Sequence, residues 1–194
     1  MFEQAGAVNF SLNWQCCSMD EEVKISIEQI IAMKPVLDFV EAAKCFCLLI
    51  ETQQSNNPKE FLELLHKQLL TLYKTGIDLP GIFIENEVEF DIDLPKYQMQ
   101  AIIKFISKRV PFSYYSTVLN PFEIDAAKTA IGDLTDDLGD IYLDLKRTLM
   151  KYDNESTAAR RNTLWQFKFD FDNHWQEHCI DAIQIIFHYL LEHR

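Results

Sequence analysis

The sequence predicts an all-α fold, a single-domain helical bundle of about five main helices with one acidic extended connection. Three observations point there. Apolar residues recur at helical spacing through most of the 194 residues, and only 5 Gly and 6 Pro are present for turns. The hydrophobic share of 48%, with 12% aromatic, is that of a packed globular chain. The length suits one domain with a sizeable core.

Residues 1–18 read as an N-terminal extension ahead of a second candidate start at Met19, with the helical domain at 19–194. From Ser26 to about Thr52 the positions Ile27, Ile30, Ile31, Val36, Leu37, Val40, Ala43, Phe46 and Ile50 keep helical spacing. Pro35 either opens the main helix at its first turn or kinks a longer one. Asn57-Pro58 is a cap followed by proline at the first helical position, and the helix it starts should stop at Gly76. From Ile82 to Leu94 apolar and acidic residues alternate, with Glu85, Glu87, Glu89, Asp91 and Asp93 on one parity. With no neighbouring strand to pair with, this reads as the extended connection. A helix over about Tyr97–Arg109 follows and ends before Pro111. Residues 112–120 read as irregular, and 123–129 as a helical turn. Further helices are expected over about Gly132–Tyr152 and Ala158–Leu191, with a short strand competing over Trp165–Phe171.

The formal net charge is −12. Nucleic-acid binding rests on Lys and Arg neutralising phosphates, and anionic membrane surfaces attract the same residues, so neither partner is expected. No run of apolar residues is long enough to cross a membrane, and Met1-Phe2-Glu3-Gln4 lacks the basic start of a secretory signal. Five cysteines without a C-x-x-C pair suggest reduced thiols and a cytoplasmic location. Neither a glycine-rich phosphate loop nor a G-x-S-x-G elbow occurs.

Two polar rows carry what chemistry there is. Asp136-Asp137-Leu138-Gly139-Asp140, extended by Asp133 and Asp144, reads D-D-x-x-D. Carboxylates at this spacing share a divalent cation in some helical enzymes. On a helix whose apolar stripe is Leu134, Leu138, Ile141, Leu145 and Leu149, Asp136 and Asp140 face away and read as solvated. Asp137 and Asp144 border the stripe and are the better metal ligands. The second row is Asp170, His174, His178, Asp181 and His188. His174 and His178, four apart, are the pair one helix face gives a metal. Asp181 is read as orienting His178 and Asp170 as pairing with His174, whether behind a metal ion or within a structural hydrogen-bond network.

Tyr115…Asn120-Pro121, the run Asp136 to Lys146, and Phe171…His174-Trp175…His178 resemble an uncharacterised bacterial group, domain-of-unknown-function family 5063. Leu72-Tyr73…Leu79-Pro80 resembles its earlier segment. The likeness covers most of residues 25–190 and is strongest from Tyr115 onward. It implies a helical bacterial domain and names no activity. The family's D-D-L-x-D-I-Y and H-W-x-x-H patterns fall on Asp136, Asp137, Asp140, His174, Trp175 and His178. Where the family has Gly after His-Trp, this chain has Gln176. Without a nucleophile or cofactor motif, a non-catalytic binding or adaptor module, with a protein partner or a second copy, is the leading expectation. The alternative is a divalent-metal-dependent hydrolase acting on a phosphate ester or nucleotide, using Asp137, His174 and His178.

Overall fold

A capping box opens the first helix: the Ser26 side chain accepts from the Gln29 backbone, and Gln29 accepts from the Ser26 backbone. The computed structural model describes residues 26–52, 57–82, 94–119, 122, 128–153 and 157–194. The N-terminal extension, the centre of the acidic connection (83–93) and most of the turn assigned to 123–129 lie outside these residues. Helix α1 (Ile27–Ile31) turns into α2 (Lys34–Thr52), so Pro35 sits in the first turn of the main helix. Asn57 caps α3 (Pro58–Asp78), and Pro58 occupies its first turn. Helix α4 (Lys96–Ser107), a hairpin of β1 (Tyr114–Val118) and β2 (Thr129–Asp133), and α5 (Leu134–Tyr152) come next. Helix α6 (Thr157–Asp170) runs through a π-helical turn (Phe171–Trp175) into α7 (Gln176–Glu192).

The fold is mostly helical, as the sequence suggests. Helix α5 is central, packed against α2, α4, α6 and α7, while α3 lies on α2 and α7. The core between them is aromatic. Phe39, Phe46, Phe61, Phe167, Phe171 and Trp175 are fully buried, with Phe39 edge-on to Phe167 at 5.1 Å and Phe171 edge-on to Trp175 at 4.9 Å. No helix among the described residues is long and apolar enough to cross a membrane.

Three local expectations change. Residues 114–118 are a strand rather than irregular chain, paired antiparallel with 129–133 so that Tyr115 faces Gly132. The last helix carries a π turn. A row of its buried residues, Ala159, Thr163, Phe167, Phe171, Trp175 and Cys179, is spaced by four, and at 3.6 residues per turn each such step drifts about 40° around the axis. A turn holding one extra residue restores the phase and keeps the whole row inward. Finally, α3 continues past Gly76 to Asp78. That glycine is a place of close approach: an added Cβ would lie 2.7 Å from the Phe171 ring.

Gly76→Ala therefore forces a rigid, fully buried ring aside and should cost about 1–3 kcal/mol. Gly139→Ala meets only the flexible Cδ1 end of Ile103. There the gain in helix propensity of roughly 1 kcal/mol offsets the crowding. Urea unfolding of the two variants should separate them clearly; equal losses would contradict this packing.

Candidate metal centre

The site begins with the N-terminus of α5. Asp133, the first member of the aspartate row, is its N-cap and accepts from the backbone of Thr135 (2.9 Å) and Asp136 (3.4 Å). This starts the helix in a register that places Asp137, Asp140 and Asp144 at steps of three and four, one face of α5. His174 and His178 supply a matching step on the π turn and α7. The two rows meet antiparallel.

His178 Nδ1 lies 2.8 Å from Asp137 Oδ1, and His174 Nδ1 lies 2.7 Å from Asp144 Oδ2. A carboxylate opposite Nδ1 makes that nitrogen the donor, which leaves each Nε2 with a free lone pair in the neutral ring. Both Nε2 atoms turn toward the same oxygen, Asp140 Oδ2, at 3.7 Å from His178 and 4.0 Å from His174. These gaps are too long for direct hydrogen bonds. One ligand atom from each of Asp140, His174 and His178 lies within 4.8 Å of the others. Ligands about 2.1 Å from an ion would stand roughly 3–3.5 Å apart, so small side-chain rotations would close the triangle.

Burial differs along the face. Asp137 is buried at 6% exposure and is held on its other oxygen by the Tyr115 hydroxyl, 2.6 Å from Oδ2. Tyr115 reaches it from β1, its ring lying over Gly132, where any Cβ would overlap it. Asp140 is half-buried and His174 is exposed, so the mouth of the site meets solvent.

The electrostatics are those of crowded acids. The hydrogen bond to Asp137 raises the His178 pKa, and Asp140 and Asp136 add to it. Burial, then the neighbouring Asp136, raises Asp140. Burial raises Asp181 as well, with Asp137 and Glu177 adding to it. Tyr115 is raised by burial and by its hydrogen bond to Asp137. Asp170 is pushed up to about 6, by burial first and Asp144 second.

The structure thus brings Asp137, Asp144, His174 and His178 together, with the two carboxylates on the outer nitrogens of the rings. Asp170 accepts from Gln166 (2.6 Å) within electrostatic reach of Asp144 and His174. Asp181 stands one turn beyond His178 and accepts from Thr117. Asp140 faces the histidines, where the sequence placed it in solvent. The apolar stripe of α5 is only part of its covered surface, because helices pack on both sides of it and bury Thr135, Asp137, Gly139 and Thr148 too. A signal existed: Asp137, Asp140 and Asp144 keep the same three-and-four rhythm as His174, His178 and Asp181. Tyr115 carried no such signal, since its partner is 22 residues away.

The model of a family described as a domain of unknown function (DUF5063) matches residues 31–193. No curated protein gives a significant match. Among solved structures, the crystal structure of protein BF1032 from Bacteroides fragilis has a TM-score of 0.68 at 19% identity, covering 81% of this chain and 93% of that chain. At that identity the likeness shows the fold alone.

Asp170 provides a pH test. Its folded pKa of about 6 exceeds the unfolded value of about 3.9. Folding therefore favours its neutral form, and the associated stability, present below about pH 3.9, is lost as pH rises through about 6. Asp170→Asn, which cannot ionise, should raise the melting temperature at pH 8 and leave it nearly unchanged at pH 3.5. An equal effect at both would show that the charge of Asp170 is not the cause.

Proposed function

The chain belongs to the domain-of-unknown-function family 5063, and from that premise we propose that it is a cytoplasmic, divalent-metal-dependent hydrolase with Asp140, His174 and His178 as metal ligands. One observation carries this reading: both histidines give Nδ1 to a carboxylate and aim Nε2 at one oxygen of Asp140. A carboxylate behind each ligating imidazole fixes its tautomer and raises its basicity, an arrangement common to histidine metal sites. Two imidazoles and one carboxylate on one side suit Zn²⁺, Fe²⁺ or Mn²⁺ and leave positions open for water and substrate.

Asp137 and Asp144 are then orienting residues. Tyr115 holds Asp137 so that its second oxygen is not left unsatisfied in a buried site. The ion would supply Lewis acidity and lower the pKa of a bound water. The adaptor reading drew on the lack of a nucleophile or cofactor motif and on an aspartate row facing solvent, and Asp140 does not share that orientation. Of the hydrolytic substrates, a phosphate ester or nucleotide would rely on the ion for its counter-charge. The groups acting on Asp140, His178 and Asp181 are mostly Asp136, Asp137, Asp144 and Glu177.

Chelator-treated protein should gain roughly 2.7 kcal/mol when Zn²⁺ or Mn²⁺ reaches 100 times its Kd, a shift on the order of 5–10 °C. His178→Ala and Asp140→Asn should abolish the shift, Asp137→Asn should weaken affinity about 10–100-fold, and Asp136→Asn should retain binding. Calorimetric titration of each variant checks the order. Absence of a shift with every divalent ion, or full binding by Asp140→Asn, would sink the reading.

A further inference from the structure

Beside the proposed metal site lies a small cavity of about 120 Å³ between the hairpin and α7, lined by Tyr115, Thr117, Asp181, Gln184, Ile185 and His188. It is polar, and its Asp181 lies on the same helix as His178. Asp181 follows His178 by three residues, which at 1.5 Å rise per residue sets it about 4.5 Å farther along α7. Tyr115 is shared: it is one of the lining residues, and its hydroxyl donates to Asp137, the partner of His178.

The lining selects a class of ligand. Neither Lys nor Arg contributes to it, and Asp181 is its carboxylate. The charged groups that reach Asp181 are Asp137, Glu177 and His178. The donor already on Asp181 is the Thr117 hydroxyl, which satisfies part of a carboxylate that has about four acceptor sites. An anion entering here would meet these carboxylates at close range. A compact group with several N–H donors would fill the remaining acceptors and offset the charge, and 120 Å³ has room for one such head and little else.

We infer that this cavity is the specificity subsite of the metal centre and takes a positively charged nitrogen, an ammonium or guanidinium, of the substrate. The inference rests on the metal-dependent reading above and adds the substrate class. The scissile group sits at the ion, and the charged nitrogen lies one helical turn away along α7 on Asp181. Asp181 is here a binding residue and takes no part in bond cleavage. Thr117 and Gln184 complete the hydrogen-bond shell.

The test uses hydroxamates, which chelate an open metal site through their head. Zn²⁺-loaded full-length protein is titrated at about 0.15 M salt, where long-range attraction is screened beyond roughly 8 Å. The probes are the hydroxamates of glycine, β-alanine and 4-aminobutyrate, each against its alkyl counterpart lacking the amine. At least one amino hydroxamate should bind about tenfold or more tightly than its match. That preference should vanish in Asp181→Asn, shown to be folded by circular dichroism, and survive in Glu177→Gln. If the alkyl hydroxamates bind and no amine improves on them, the subsite inference is overturned while the metal centre stands. A preference retained by Asp181→Asn overturns it too. If no hydroxamate binds and Zn²⁺ gives no calorimetric signal, the metal reading fails and the subsite goes with it.

Discussion

The buried carboxylate of Asp137 is the constraint on which the site depends. A charge taken from water is costly unless both its oxygens are satisfied. Asp137 meets that demand with Tyr115 from β1 on one side and His178 from α7 on the other. Three elements that share no local sequence are thereby tied to one residue. A two-stranded hairpin is marginal alone. Here it is fastened to α5 by Tyr115, by the Leu134 amide donating to the Ser113 carbonyl at 2.8 Å, and by the Ser113 and Thr135 hydroxyls at 3.4 Å. Removing one partner of a buried pair generally costs more than the pair contributes, about 3–5 kcal/mol, so the hairpin, α5 and α7 are expected to keep their relative placement.

The helices were legible because each had a local signature. The helically spaced run that begins at Ser26, and Asn57 with Pro58, mark starts that the structure places within a residue or two. The hairpin was not legible. Its strands are five residues each, they lie more than ten residues apart, and Tyr115 and Gly132 pair for a reason neither segment shows alone. The π turn was half visible. The long helical pattern over about Ala158–Leu191 was in view, as was the alternation of Trp165, Phe167, Phe169 and Phe171, and the two suggested competing periods. What decides between them is burial on a continuous face, which the extra residue of the π turn permits. Gly76 misled for a similar reason, because a glycine late in a helix signals a stop unless a neighbouring ring needs the space.

At the site, spacing told more than direction. An apolar stripe assigns the inward face of a helix packed on one side, and α5 is packed on several. Asp140 sits between two covered surfaces, a position that a stripe argument assigns to water. The antiparallel meeting of the two rows depends on α5 and α7 lying side by side. That contact follows from the whole bundle rather than from either helix.

The aspartate row shows how little residue type settles by itself. Five aspartates within twelve positions take up different environments, set by what stands opposite each. Asp133 meets free backbone amides and caps a helix. Asp136 meets solvent. Asp137 and Asp144 meet the Nδ1 atoms of two histidines, and Asp140 meets their Nε2 atoms from across a gap. Burial first, and then the neighbouring carboxylates, raise the pKa of Asp140 and Asp181, while the hydrogen bond to Asp137 and then the charges of Asp137, Asp140 and Asp136 raise that of His178. Such crowding works against the stability of the folded chain wherever the acids are ionised. Exposed pairs such as Lys34–Asp38 and Lys74–Asp78 carry no such cost, because water screens them.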